Sequence, residues 1–121
     1  MGEIATSNRL ITLFYSSNSI RAKKAMAFAK TEGLALQEID ILKSTLTGTQ
    51  IAELADKLNI EIKDLVNQEH PAYKQKFLHH ELSGRDWIKM IQHNPEIMKQ
   101  PIALHGDKTI LIGTPTDILK I

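Results

Sequence analysis

The side chains that could do chemistry in this chain are few, and the most reactive type is missing. None of the 121 residues is cysteine, which excludes disulfides, thiolate nucleophiles, iron–sulfur clusters and cysteine-ligated zinc. Histidine is the next resource: His70, His79, His80, His93 and His105. None has a second histidine four residues on, the spacing that puts two imidazoles on one helix face. His80-Glu81-Leu82-Ser83-Gly84 begins like the His-Glu-x-x-His of zinc peptidases, but Gly84 stands where the second ligand must be. No metal site and no cofactor is therefore expected. Ser19 heads a helical stretch, yet Ser17-Asn18-Ser19-Ile20-Arg21 lacks the Gly-x-Ser-x-Gly of a serine hydrolase. Neither a Walker loop nor a Gly-x-Gly-x-x-Gly fingerprint occurs. Two readings of Ser19 stay open. It can cap the helix, or it can mark a helix N-terminus whose free amides hold an anion. Arg21, Lys23 and Lys24 add positive charge to that end, or simply form a solvated face.

The elements that must position these residues follow from hydrophobic patterning. Leu10-Ile11-Thr12-Leu13-Phe14-Tyr15 is a short, nearly continuous apolar run, as in a central strand covered on both faces. Ile20–Glu32 carries Ala22, Ala25, Met26 and Ala29 at helical spacing, and Gly33 ends it. Leu34–Ile41 reads as a second strand, so the first third of the chain predicts a βαβ unit with parallel strands. Thr47-Gly48-Thr49-Gln50 has the form of a capping box, followed by the apolar stripe Ile51, Leu54, Ala55 and Leu58. A further helix is predicted from about Ser83 to Asn94-Pro95, with Trp87, Ile88 and Ile91 inward. Trp87 and the Ile51/Leu54/Leu58 stripe read as core rather than as a ligand box. Between these helices, His70–Glu81 reads as loop with a helical turn or two. Near the end, Ile102-Ala103-Leu104 and Thr109-Ile110-Leu111-Ile112 flank a Gly106-Asp107 hairpin turn, and Thr114-Pro115-Thr116-Asp117 opens a short helix.

Composition bounds the rest. Apolar residues make up 42%, charged residues 24%, and the net charge is +1, which suits one globular domain and excludes a wholly disordered or fibrous chain. The near-neutral balance argues against a protein built to grip nucleic acid. No apolar run reaches the roughly 20 residues of a membrane-spanning helix. Residues 1–9 read as a flexible leader without the apolar stretch of a secretory signal, leaving 10–121 as a single domain in the cytoplasm.

In order and spacing the motifs resemble the glutaredoxin-coupled arsenate reductases and the Spx-type regulators of RNA polymerase. Ile11-Thr12-Leu13-Phe14-Tyr15 is similar to that family's first strand and Lys23-Lys24-Ala25 to the basic-basic-Ala of its first helix. Leu46-Thr47 before Ile51-Ala52-Glu53-Leu54 resembles the start of its second helix. Leu65-Val66-Asn67 resembles its Leu-Leu-Arg or Leu-Leu-Asn, and His93-Asn94-Pro95-Glu96-Ile97-Met98-Lys99-Gln100-Pro101 its His-Pro-x-Leu-Leu-x-Arg-Pro. The resemblance implies an α/β, thioredoxin-like mixed sheet flanked by helices, with a helical insertion in the middle of the chain and a cis bond before Pro101. It also implies where the chemistry should be. The family's nucleophilic cysteine falls on Ser19, the second cysteine of Spx-type members on Ala22, and the three arsenate-holding arginines on Asn67, Gln100 and Gly113. A hydroxyl cannot cycle through a disulfide, so thiol-dependent arsenate reduction is not expected. The implied function is a redox-inactive protein-interaction or regulatory module, with RNA polymerase as the partner by family analogy and no direct contact with nucleic acid or membrane. The alternatives are a small-molecule or oxyanion binder using Ser19, Ile20, Arg21, Asn67, Gln100 and Pro101, or an enzyme with serine-based chemistry.

Overall fold

The structure, a computed structural model, describes residues 9–76 and 84–121. All but Arg9 of the expected leader, together with His79, His80, Glu81, Leu82 and Ser83, lies outside them. The chain forms two compact units. One comprises residues 9–44 together with Gln100–Ile121, and the other holds Thr45–Lys99.

The first unit is built on a four-stranded sheet in the order β2-β1-β3-β4: β1 Ile11–Tyr15, β2 Leu36–Asp40, β3 Ile102–His105 and β4 Lys108–Leu111. β1 runs parallel to β2, with Ile11 opposite Leu36 and Tyr15 opposite Asp40. β3 is antiparallel to both β1 and β4, pairing Leu13 with Ala103 and Ala103 with Ile110. The central strands are the apolar ones because each is covered on both faces. Leu13, Ile102, Ala103 and Leu104 are fully buried, whereas edge strands β2 and β4 each carry two exposed positions. Helix α1, Ile20–Thr31, connects β1 to β2. It lays Ala25 and Ala29 against Ile11, Leu13, Ala103, Ile112 and Ile118. Small alanines let a helix backbone sit close to the sheet, and here they leave little of α1 to bury apart from Ala22, Ala25 and Ala29.

Boundaries differ from the expectation where local hydrogen bonds intervene. β2 begins at Leu36 rather than Leu34, because the Leu34 amide is spent on the Ala29 carbonyl at the end of α1. Gly33 takes φ +73° there, the left-handed conformation that glycine adopts without a Cβ penalty. The β3–β4 turn places Gly106 at φ +58°, as the Gly-Asp signal requires. The closing helix, Pro115–Lys120, is 3-10 rather than α. The Asp117 carboxylate accepts from the Gly113 and Thr114 amides, at 3.2 and 2.9 Å, and so fixes its start.

The second unit holds α2 Gly48–Lys57, α3 Pro71–Lys76 and α4 Gly84–His93, with 3-10 turns at Ile62–Leu65 and Pro95–Ile97. The expected capping box is present: Thr47 accepts from the Gln50 amide and Gln50 from the Thr47 amide, each at 3.0 Å. Ile51, Leu54 and Ala55 are buried, as are Trp87, Met90 and Ile91 of α4. Ile88, expected inward, is half-buried at the edge of that stripe, as is Leu58 at the end of α2. Trp87 stacks on Tyr73 of α3, ring centroids 6.1 Å apart. Among the described residues no helix is long and apolar enough to cross a membrane.

Candidate functional site

The carboxyl ends of parallel strands β1 and β2 open toward the loop Ser16–Ser19, the place where open α/β sheets expose backbone for ligands. Ser19 sits at the cap of α1 with extended backbone, φ −89° and ψ 119°. Its Oγ accepts from the Ala22 amide at 3.1 Å, and its carbonyl from the Lys23 amide at 3.2 Å. The position where the resemblance puts a nucleophile is thus occupied by a hydroxyl engaged as a helix cap. Ala22, one turn on, is fully buried.

The amides of this loop are satisfied from within the chain. Ser16 N donates to Gln100 Oε1 at 3.2 Å, Ser17 N to Asp40 Oδ1 at 3.3 Å, and Asn18 N to Ser16 Oγ at 3.3 Å. Ser19 N donates to the Ser16 carbonyl at 2.9 Å. Gln100 therefore stands where an arsenate-holding arginine was expected and supplies the opposite chemistry: an acceptor that binds the loop, not a cation that binds a ligand. The Gln100–Pro101 bond is cis, and Pro101 is buried at the start of β3.

Asp40, at the end of β2, is the organiser that sequence patterning missed. Its Oδ1 accepts from both Ser17 N and Leu42 N, the latter at 3.0 Å. Burial pushes its carboxyl up, and Oδ2 has no hydrogen-bond partner. The hydrogen bonds from Ser17 and Leu42 outweigh that and hold the group below the usual aspartate range. A polar residue at the carboxyl end of an inward-alternating run, Ile39-Asp40-Ile41, was the available signal. Burial, then the Asp40 and Glu38 carboxylates, raise the Tyr15 phenol, so that hydroxyl stays protonated at neutral pH. The loop thus gathers an ionised carboxylate, a neutral phenol and a capping serine.

Asn67 lies in the helical unit. A short antiparallel bridge joins Val66 to Met98, and Asn67 N donates to the Ile97 carbonyl at 2.7 Å. Its Oδ1 accepts from the Glu69 amide at 3.1 Å, an Asx turn that leads the chain into α3. Gly113, the third expected arginine position, donates its amide to Asp117. Ile20 and Arg21 are exposed in the first turn of α1. Among the described residues no three of His, Asp and Glu gather as metal ligands. The zinc-peptidase-like run from His80 lies outside them.

Comparison with known proteins agrees with this geometry. The ArsC family model matches residues 14–120. The chain is 23% identical over 112 residues to the global transcriptional regulator Spx of Streptococcus mutans, covering 92% of this chain and 81% of that one. It is 24% identical over 105 residues to the global transcriptional regulator Spx 2 of Lactococcus lactis, covering 86% and 79%. Among solved structures it is similar to the arsenate reductase from Vibrio cholerae, with TM-score 0.84 and 17% identity, covering 95% of this chain and 99% of that one. It is also similar to an arsenate reductase related protein from Brucella melitensis, with TM-score 0.71 and 15% identity, covering 96% and 94%. These structures share the thioredoxin-like fold, and the family match runs through both units. The protein belongs to the ArsC family, in a form that carries no cysteine.

Proposed function

We propose that this ArsC-family protein is a redox-inactive member that works as a protein-interaction or regulatory module in the cytoplasm. The observation that carries the reading is the head of α1. Ser19 and Ala22 occupy the two positions where the resemblance places thiols, and the neighbouring amides are bonded to Gln100, Asp40 and Ser16. A site without a thiol, whose Ser16–Ser19 amides are bonded within the chain, supports no thiol transfer. A docking surface needs neither. The relatives named as global transcriptional regulators support a role in transcription, and RNA polymerase is the partner that the resemblance implies.

The test has two arms. Purified protein incubated with arsenate, glutathione and glutaredoxin should reduce no more arsenate than a boiled control. Tagged protein passed through lysate of the native host should retain RNA polymerase subunits in amounts that exceed a scrambled-surface control by about tenfold. Arsenate turnover would overturn redox inactivity, and capture of no specific protein would overturn the docking role.

A further inference from the structure

We propose that the outward face of α1 is the docking surface, and that its partner is an acidic protein segment carrying apolar anchors. This rests on the docking reading above and gives it a place and a partner chemistry.

The helix sets Ile20, Lys24, Ala27, Phe28 and Thr31 on the side opposite its buried alanines, with Arg21 and Lys23 flanking them, since residues three and four apart share a face. All of these side chains are exposed. Ile20 is 71% exposed and Phe28 41%, two turns and about 12 Å apart along the axis. Single exposed apolar side chains are ordinary. What sets these two apart is the charge around them.

α1 contains Arg21, Lys23, Lys24 and Lys30 and no acidic residue at all. Lys30 pairs with Glu38 of β2 at 3.7 Å. Among the described residues, Arg21, Lys23 and Lys24 enter no ion pair. Arg21 lies in the first turn of α1, where the helix dipole favours anions and opposes cations, and Lys23 and Lys24 follow at and just past the end of that turn. Arg21 therefore works against the stability of the helix that carries it, and Lys23 and Lys24 add no ion pair to it. A local rule broken with no local compensation is expected where a residue serves function rather than folding.

The same features select the partner. Three unpaired cations call for carboxylates, and Ile20 and Phe28 call for apolar side chains about two helical turns apart, the pattern of an acidic amphipathic segment laid along a helix. Nucleic acid would use the cations but leave Ile20 and Phe28 idle, and the chain's net charge of +1 offers few phosphate contacts. A lipid surface needs a broader apolar stripe than two side chains separated by Lys24.

The experiment places the photo-crosslinker p-benzoylphenylalanine at Phe28 and, in a separate variant, at exposed Asp56 of α2, each irradiated in host lysate. The expected result is a product at Phe28 that maps by mass spectrometry to a protein peptide of net negative charge. Its yield should fall about tenfold in the Lys23→Glu/Lys24→Glu variant and fall steeply with salt. That variant should melt near the wild-type temperature, because exposed surface charges contribute little to stability. Neutralisation by Arg21→Gln with Lys23→Gln should lower the yield in the same direction by a smaller factor. A neutral or basic peptide, a nucleic acid, a lipid, a second copy of this chain, or a yield indifferent to charge reversal would each overturn the proposal. Silence at Phe28 with products at Asp56 would remove α1 and leave the docking reading standing. Silence at both positions would remove both.

Discussion

Ser19 holds its helix by accepting one amide hydrogen bond, and that contact can be removed without disturbing any neighbour. Ser19→Ala should cost about 0.5–2 kcal/mol in urea unfolding, while Ser19→Asp and Ser19→Asn should stay within a few tenths of wild type. An alanine variant as stable as wild type would mean that α1 does not depend on this cap. Asp117 makes a second residue-scale prediction, through pH. Its carboxyl is held low, first by the Thr114 amide, then by Lys120 and the Gly113 amide. The folded value thus lies below the unfolded one, so the carboxylate stabilises the fold above about pH 3.9 and loses that contribution as pH falls through the folded value. Asp40 shifts in the same direction. In thermal melts from neutral pH to about pH 3, the gap between wild type and Asp117→Asn should narrow as the solution becomes more acid. A gap constant over that range would show that the Asp117 charge contributes nothing.

At the scale of the element, α1 can be tested as a ruler. Cα atoms three residues apart in a helical turn lie about 5 Å from each other, within the Cα–Cα range a disulfide spans. Ser19→Cys with Ala22→Cys should therefore close a disulfide under mild oxidation, visible as a mass loss of two hydrogens and loss of thiol labelling. A folded double mutant that keeps both thiols would contradict the start of α1 at Ile20. Ala22 is fully buried, so its replacement also measures how much room the sheet leaves beneath the helix. Overpacking at such a position typically costs about 1–3 kcal/mol. The lone Ala22→Cys variant separates that cost from any effect of the bridge.

At the scale of the molecule, the closure of the Ser16–Ser19 loop on Gln100 and Asp40 sets the response to oxyanions. A ligand present at about a hundred times its dissociation constant adds about 2.7 kcal/mol to stability. Here the Ser16, Ser17, Asn18 and Ser19 amides already have acceptors, and the Asp40 carboxylate places a negative charge beside them. Arsenate or phosphate at about 10 mM should thus raise the melting temperature no more than chloride of equal ionic strength. A rise of several degrees specific to the oxyanion would support the binding reading of Ser19, Ile20 and Arg21.

Much of the fold could be read from the chain alone, because its signals are local. The apolar run ending at Tyr15, the alanine spacing of α1, Gly33, the Thr47–Gln50 capping box and the Gly106 turn each satisfy a nearby backbone or burial requirement. The absence of cysteine is likewise a fact of composition, and thiol chemistry falls with it. The organisation of the Ser16–Ser19 loop was not legible in this way. Gln100 lies 84 residues from Ser16 in sequence, and Asp40 lies 23 from Ser17. No periodicity links residues so far apart, since only strand pairing brings the ends of β1, β2 and β3 together. The family resemblance implied an arginine where Gln100 stands. Only the tertiary structure decided what replaced it, because a hydrogen bond between distant residues exists only once the sheet has assembled.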